Sequence, residues 1–348
     1  MALPICNRTV LLISLALLFC TIGYKWIRFS RSDLASVATK VKPFCECQWN
    51  GQRFDLCYQS ENETGKRFNC KWLPILNRLQ LLSLVEKPSE REKEIFVTAA
   101  SSSHFEELKS SLATVQTFFP SSTVVVFDLG LKKNEVQKTK QFCLVNYRKF
   151  NFTQHPKHVA ELTEYRWKPI ILAKMLAEFG SFWWIDTSVR WKNSSVKEIF
   201  NQIRAKRKAS VVLFDQTGHS IFAATNPIMY TYFPSDLEKL KKTQMIGANL
   251  VLLTSSPETR NILKWHVLCA LEKDCMAPPN SVLHCGWRKS NAWSFYGDCH
   301  RFDQSSLNLL LAHQYKYNTE HYSITNYIAK IKRTASGQHP KVCKEQKQ

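Results

Sequence analysis

The stretch Tyr165 to Trp191, YRWKPIILAKMLAEFGSFWWIDTSVRW, decides the fold. Pro169 suits a first helical position, and Ile171, Leu172, Met175, Leu176 and Phe179 recur on one face at helical spacing. Gly180 can take the left-handed conformation that ends a helix. The spacing therefore predicts about three helical turns. Ser181 to Ile185 then lack polar alternation, as a strand covered on both faces requires, and Asp186 falls where that strand emerges at its carboxyl end. In open α/β sheets, ligands bind at that end.

Working outward, Ile95 to Ala99 reads as a short strand, followed by a helical pattern from His104 to Phe119 that Pro120 stops. Thr123 to Phe127 forms a β-branched strand, Lys132 to Lys140 a basic helical segment, and Cys143 to Phe150 a third strand. Downstream, Val211 to Phe214 and Ala248 to Leu253 read as strands, and Glu258 to Leu271 and Ser305 to His313 as helices. Strands alternating with helices imply right-handed crossovers, so the expected fold class is α/β, with a mostly parallel, Rossmann-like sheet and flanking helices.

The 348 residues are 44% hydrophobic with only 10 Gly and 13 Pro, a balance that excludes low complexity and allows a substantial core. Val10 to Ile27 is apolar apart from Ser14, Thr21 and Lys25, and as a helix spans about 27 Å, enough for a thin bilayer. We expect a signal-anchor transmembrane helix at 10–27 behind a cytoplasmic tail at 1–9. The competing reading is a cleaved signal peptide, with Arg8 as its charged start and Thr21 and Gly23 at the cleavage site. Flanking charge alone favours a cytosolic carboxyl side, because Lys25, Arg28 and Arg31 outnumber Arg8. Cysteines and glycosylation sequons decide the other way. Ten cysteines follow the anchor, an even number suited to an oxidising compartment, and Asn62, Asn151 and Asn193 each begin an acceptor sequon. The expected topology is single-pass type II with a lumenal body.

Residues 28–93 read as a lumenal stem with a cysteine-rich patch at 45–70, in which Cys45 and Cys47 are too close to pair with each other and each bridges to Cys57 or Cys70. A zinc site from these four is the rival reading. Residues 94–335 form the large domain and 336–348 a basic tail. Cys285 and Cys299 are expected to bridge, holding the loop 286–298 beside the helix that begins near Asp303; a zinc cluster with His284 and His300 is the alternative. The net charge of +20 concentrates at 132–140, 204–208, 239–242 and after Lys330, and together these runs favour anionic partners.

The opening strand, the IDTS element at 185–188, MIGANLVLLTSS at 245–256 and HRFDQSSLNLLL at 300–311 resemble, in their order, the nucleotide-diphospho-sugar transferase (GT-A) superfamily. The chain is more closely similar to uncharacterised glycosyltransferase-like type II membrane proteins of nematodes and other invertebrates. The resemblance covers roughly residues 94 to 320. It implies a catalytic domain at 94–335 that moves a sugar from a nucleotide-sugar donor to a glycan or glycoprotein acceptor at the Golgi membrane. In that superfamily an Asp-x-Asp motif holds a divalent metal, Mn2+ or Mg2+, and the donor diphosphate. Asp186 and Ser188 occupy the matching positions, so the second acid is missing and Asp186 is the one candidate metal ligand of the pair. Gly247, Ala248 and Asn249 match a later substrate-binding strand loosely, and Asp303 and Gln304 match the acidic element facing donor sugar or acceptor, which makes them the catalytic candidates.

The residues themselves keep alternatives open. A hard cation takes one or two carboxylates plus phosphates, which Asp186 with Ser188 or water would satisfy. Lys168 and Arg190 flank the same element and offer fixed cations for a departing diphosphate without a metal. Against these stand a strand-end turn residue for Asp186, a solvated charge for Arg190 and a helix cap for Asp303. No G-x-S-x-G elbow, P-loop or G-x-G-x-x-G turn is present, which removes hydrolase, P-loop and dinucleotide readings. Phe182, Trp183 and Trp184 read as core rather than a base-stacking platform, so nucleic acid is not an expected partner. A non-catalytic lumenal glycan-binding protein is the main alternative function, and a secreted heparin-binding protein the third.

Overall fold

The computed structural model describes residues 43–60, 63–82, 94–287 and 291–343. The expected anchor at 10–27, the tail at 1–9, the sequon Asn62 and residues 344–348 lie outside that set. Among the described residues no helix is long and apolar enough to cross a membrane. The chain divides into two compact units, 1–46 and 47–348. The first holds residues 43–46 of the described set; the second carries the main sheet and the cleft.

The strands in chain order are β1 (Glu46–Trp49), β2 (Gln52–Asp55), β3 (Ile95–Ala100), β4 (Thr123–Asp128), β5 (Val145–Lys149), β6 (Ser181–Ile185), β7 (Val189–Trp191), β8 (Val211–Ser220), β9 (Gln244–Thr254) and β10 (Ala329–Ile331). Six of them form the main sheet in the order β5-β4-β3-β6-β9-β8. The pairs β5/β4, β4/β3 and β3/β6 are parallel, whereas β6/β9 and β8/β9 are antiparallel, so β9 alone runs against the other five. After β3 the chain builds outward through β4 and β5, then returns to place β6 on the other side of β3. The crevice at the carboxyl ends of β3 and β6 is thus the topological switch point, where such sheets bind ligands.

The strands read as continuous apolar runs because both faces are covered. Phe96, Val124, Val126, Trp183, Ile185 and Leu252 pack on one face, and Val97, Val125, Phe127, Phe182, Trp184 and Val251 on the other. Each fully buried large side chain of this kind contributes about 1.5–3 kcal/mol. Trp183 and Trp184, at 0% and 1% exposure, are core residues. The helix Trp167–Phe179 ends as expected, with Gly180 at φ 70° and its N–H donating to Leu176 O at 2.9 Å. It starts earlier than Pro169, which sits third, still inside the turn whose amides need no helical partner. Its apolar surface also wraps further round than one face, since Ile170 and Ala173 are buried as well.

Several expectations change. The strands expected at 211–214 and 248–253 extend to Ser220 and back to Gln244. The small sheet β7/β10, with Lys330 opposite Arg190, was not anticipated; three-residue strands carry too little periodicity. Residues 47–82, expected within the stem, belong to the same compact unit as the sheet. Phe68, Leu73 and Leu76 are fully buried, Phe68 against Tyr232, Phe233 and Trp265, and Gly65 lies so close to Tyr232 that a Cβ would stand 2.1 Å from its carbonyl oxygen. The described part of the basic tail is likewise tied down. Lys341 N donates to Gln116 Oε1 at 2.6 Å, and Cys143 and Cys343 are joined across 200 residues. All ten cysteines after the expected anchor are disulfide-bonded, including Cys47 with Cys70, which leaves no thiolates for the zinc readings.

Four histidines are packed as neutral rings. Burial pulls His155 and His313 to about 4 and His266 and His300 to about 3. A depressed folded pKa stabilises the fold above the unfolded value near 6.5 and loses that contribution as pH falls through the folded value. We therefore expect the urea midpoint to drop steadily from pH 6.5 to about 4. A flat midpoint over that window would show that these rings are not held neutral.

Candidate functional site

A cleft of about 560 Å³ opens at the switch point. Its walls come from the end of β3 (Ala99, Ala100), the turn after β6 (Asp186, Thr187, Ser188), β9 (Ala248, Asn249), the start of the helix Trp167–Phe179, the start of the helix Asp303–Gln314, and Arg301 and Arg333. Of the residues singled out in the sequence, Asp186, Ser188, Lys168, Asn249, Asp303 and Gln304 all line it. Arg190 does not.

Lys168 organises the floor. Its ammonium is 3.1 Å from Asp186 Oδ1 and 3.1 Å from Asp303 Oδ2, and donates to Ala248 O at 2.8 Å. Three donors meet three acceptors, so the group is satisfied where it is buried. Burial pulls its pKa down, but the two carboxylates outweigh burial and the net shift is upward. Lys168 is therefore a clamp between two acids.

The two acids differ. Asp186 Oδ1 also accepts from Trp184 Nε1 at 2.7 Å, while the side chain remains 32% exposed and Oδ2 accepts no hydrogen bond among the described residues. The Asp186 N–H donates to Asn249 O at 2.8 Å, which sets Asn249 beside it across the sheet. Asp303 is 6% exposed, and burial, with the Asp186 charge, pushes its carboxyl up against the opposing pull of Lys168. It is the first residue of its helix rather than the cap. Phe302 is the cap, at φ 47° and ψ −114°, a backbone conformation that costs a non-glycine residue about 1–3 kcal/mol and that concentrates at functional sites. Asn308, one helical face onward, exchanges two 2.8 Å hydrogen bonds with the backbone of Ile246 and so fixes this helix against β9.

Arg190 is corrected by its surroundings. It is 2% exposed on β7 and donates to the carbonyls of Thr187 (2.5 Å), Val189 (3.0 Å) and Thr334 (3.2 Å). It braces the turn after β6 against the carboxyl-terminal segment instead of meeting solvent or a phosphate. With the β7/β10 pairing, and Lys332 N donating to Ser188 O at 2.8 Å, it brings Arg333 to the cleft.

Besides Lys168, two cations among the described residues line the cleft, Arg301 and Arg333, which sequence reasoning missed. Arg301 Nε is buried without a partner, and burial together with the Arg333 charge lowers its pKa. Arg301 sits two residues before Asp303 in HRFDQ, the one local signal available; Arg333 was visible only as part of a basic run. Thr187 Oγ1 donates to Glu107 Oε2 at 3.0 Å on the opposite wall.

The other candidates lie away from the cleft or at its rim. Asn151 is exposed, with Oδ1 accepting from Thr153 N and Oγ1. Asn193 is half-buried and its amide donates to Tyr327 O at 3.1 Å. Cys285 and Cys299 are joined, with Cα atoms 4.8 Å apart, beside the Asp303 helix.

A protein-family model described as a protein of unknown function (DUF1647) matches residues 44–173, less than half of the chain and ending before Asp186. No curated protein sequence matches. Among solved structures the chain is similar to a galactosyltransferase, LgtC, in complex with donor and acceptor sugar analogues, at 11% identity over 68% of this chain and 86% of that one, with a TM-score of 0.38. It is similar to mouse xyloside xylosyltransferase 1 at 9% identity over 67% and 84%, also with a TM-score of 0.38. The bifunctional glycosyltransferase WbbM matches at 11% identity over 69% of this chain and 40% of that one, with a TM-score of 0.39. These solved neighbours are glycosyltransferases. At such scores the likeness carries no weight for activity, which rests on the cleft itself.

Proposed function

We propose that this chain is a glycosyltransferase of GT-A type, a type II protein of the Golgi membrane with a lumenal catalytic domain, that moves a sugar from a nucleotide-sugar donor to a glycan or glycoprotein acceptor. The observation that carries the proposal is the gathering, at the carboxyl ends of β3 and β6, of a carboxylate with an open oxygen, a second, clamped carboxylate, and two guanidinium groups. Donor diphosphate is the anion suited to Arg301 and Arg333. As the bond from the anomeric carbon to the diphosphate oxygen breaks, fixed cations stabilise the negative charge that collects on the leaving group. Asp303, held by Lys168 at the inner wall, is placed to orient a sugar or acceptor hydroxyl.

The oxygen donors fit Mn2+ or Mg2+ as a cation completed by substrate phosphates: Asp186 Oδ2 would hold it, with the Ser188 hydroxyl and the Asn249 amide oxygen alongside. Bound there, it would add positive charge at the diphosphate. The protein's own contribution is to hold Asp186 in place through Lys168 and Trp184.

Purified protein screened against nucleotide sugars, with and without manganese, tests the proposal: one donor is expected to be consumed with transfer to a glycan seen by mass spectrometry. If no donor is bound or consumed in either condition, the transferase reading falls. A second reading, a non-catalytic glycan-binding protein on this fold, draws on the Lys168 bridge, which offsets negative charge on both carboxylates. Glycan binding without donor use would select it.

A further inference from the structure

The loop closed by Cys285 and Cys299 presents large aromatic side chains to solvent on a rigid base. Trp293 is 36% and Phe295 62% exposed. The base is well held. Ser220 N donates to Ala292 O at 3.0 Å and Ser220 Oγ to Trp293 O at 2.7 Å, Gly297 N donates to Ala223 O at 2.8 Å, and Gly286 N to Gly297 O at 2.8 Å. Trp287 turns inward, its ring centroid 5.0 Å from that of His219. It lies flat on Gly297, where a Cβ would stand 1.9 Å from the indole. One aromatic thus fastens the loop, and two others on the same loop stay out of the core that would have covered them.

The loop also leaves and rejoins the wall of the cleft. Leu283, just before the disulfide, and Arg301, just after it, both line that wall. The loop that displays the rings is therefore anchored at both ends on the wall of the cleft where a sugar would be transferred. We propose that Trp293 and Phe295 form a platform on which the acceptor glycan stacks the C–H faces of its sugar rings, with the exposed groups of Asn291, Ser294 and Asp298 taking its hydroxyls. A loop backbone held before binding loses little entropy on contact, which suits a ligand with weak individual contacts. Asp298 opposes an anionic lipid surface, the other partner exposed aromatic residues suit, although Arg288 and Lys289 in the same loop make vesicles a necessary arm of the test.

This inference rests on the transferase reading for the identity of the ligand, and two readouts separate the two. The first is binding of diacetylchitobiose, lacto-N-tetraose and a released high-mannose N-glycan, followed by intrinsic fluorescence. The second is transfer kinetics with the donor found in the screen above. In the Trp293→Ala/Phe295→Ala variant, glycan affinity is expected to fall, and acceptor KM to rise, by about tenfold or more, with kcat and donor affinity within about twofold of wild type. Trp293→Phe/Phe295→Tyr should restore both. Transfer with an unchanged acceptor KM in the alanine variant overturns the platform, as does a wild type that binds none of the three glycans, or a variant whose one defect is release from phosphatidylserine vesicles. Glycan binding through Trp293 in a protein that uses no donor would overturn the transferase reading and leave the platform standing.

Discussion

Replacing Lys168 with methionine is expected to destabilise the protein by about 3–5 kcal/mol at neutral pH, because it leaves Asp303 as a buried carboxylate with no compensating charge and a second carboxylate nearby. The sign of the pH dependence follows from the direction of the Asp303 shift. Burial and Asp186 already push that carboxyl up, and without the ammonium only a backbone hydrogen bond from Gln304 opposes them. A carboxyl raised above its unfolded pKa adds stability that is complete below the unfolded value and is lost as pH rises through the folded value. The deficit of Lys168→Met relative to wild type should therefore be largest at pH 7–8 and shrink towards pH 4. Adding Asp303→Asn should recover much of the loss at pH 7. Urea denaturation of the three proteins across pH checks this, and a deficit independent of pH would mean that Lys168 acts by packing and not by charge.

The second large effect is expected at Arg166, whose guanidinium is 1% exposed and donates to Glu272 O at 2.9 Å and Lys273 O at 2.6 Å, while Nε meets Glu164 at 2.5 Å. These carbonyls lie just past the end of the helix Pro257–Leu271, and Arg166 also donates at 3.3 Å to Ala270 O in its last turn, where carbonyls have no helical partner. Arg166 is also the cap of the helix that carries Lys168, so it locks the clamp to the rest of the core. Arg166→Met removes every one of these bonds and should cost about 3–5 kcal/mol. Arg166→Lys should recover only part, because one ammonium cannot span the carbonyls that the planar fork reaches. Thermal unfolding of the two variants against wild type is the check, and a melting temperature unchanged in Arg166→Met would remove Arg166 from the framework of the site.

What was legible in the sequence followed from long, regular patterns. The helix ending at Gly180, the doubly covered strand 181–185 and the acid at its end are where the pattern placed them, since apolar periodicity and a glycine stop are local signals. The mostly parallel sheet followed from alternation. The partners were not legible. Lys168 and Arg190 both flank the Asp186 element in sequence, yet one points into a triad with two acids and the other into backbone carbonyls, a distinction made by Asp303, Ala248 and Thr334 from far along the chain. Arg333 reaches the cleft only because β10 pairs with β7, a three-residue contact below the reach of periodicity. The packing of residues 47–82 onto the core was hidden for a related reason. A short cysteine-rich segment resembles a spacer until Phe68 finds Tyr232, Phe233 and Trp265.

The most direct test of the cleft as a nucleotide-diphosphate site is a calorimetric titration of the donor nucleotide into wild type, Asp186→Asn and Arg301→Met/Arg333→Met, with and without manganese. Wild type should bind, and the double arginine variant should bind at least about tenfold more weakly, a loss of about 1.4 kcal/mol or more, in either condition. Asp186→Asn should abolish any gain from manganese. Affinity unchanged in both variants would contradict the proposed site.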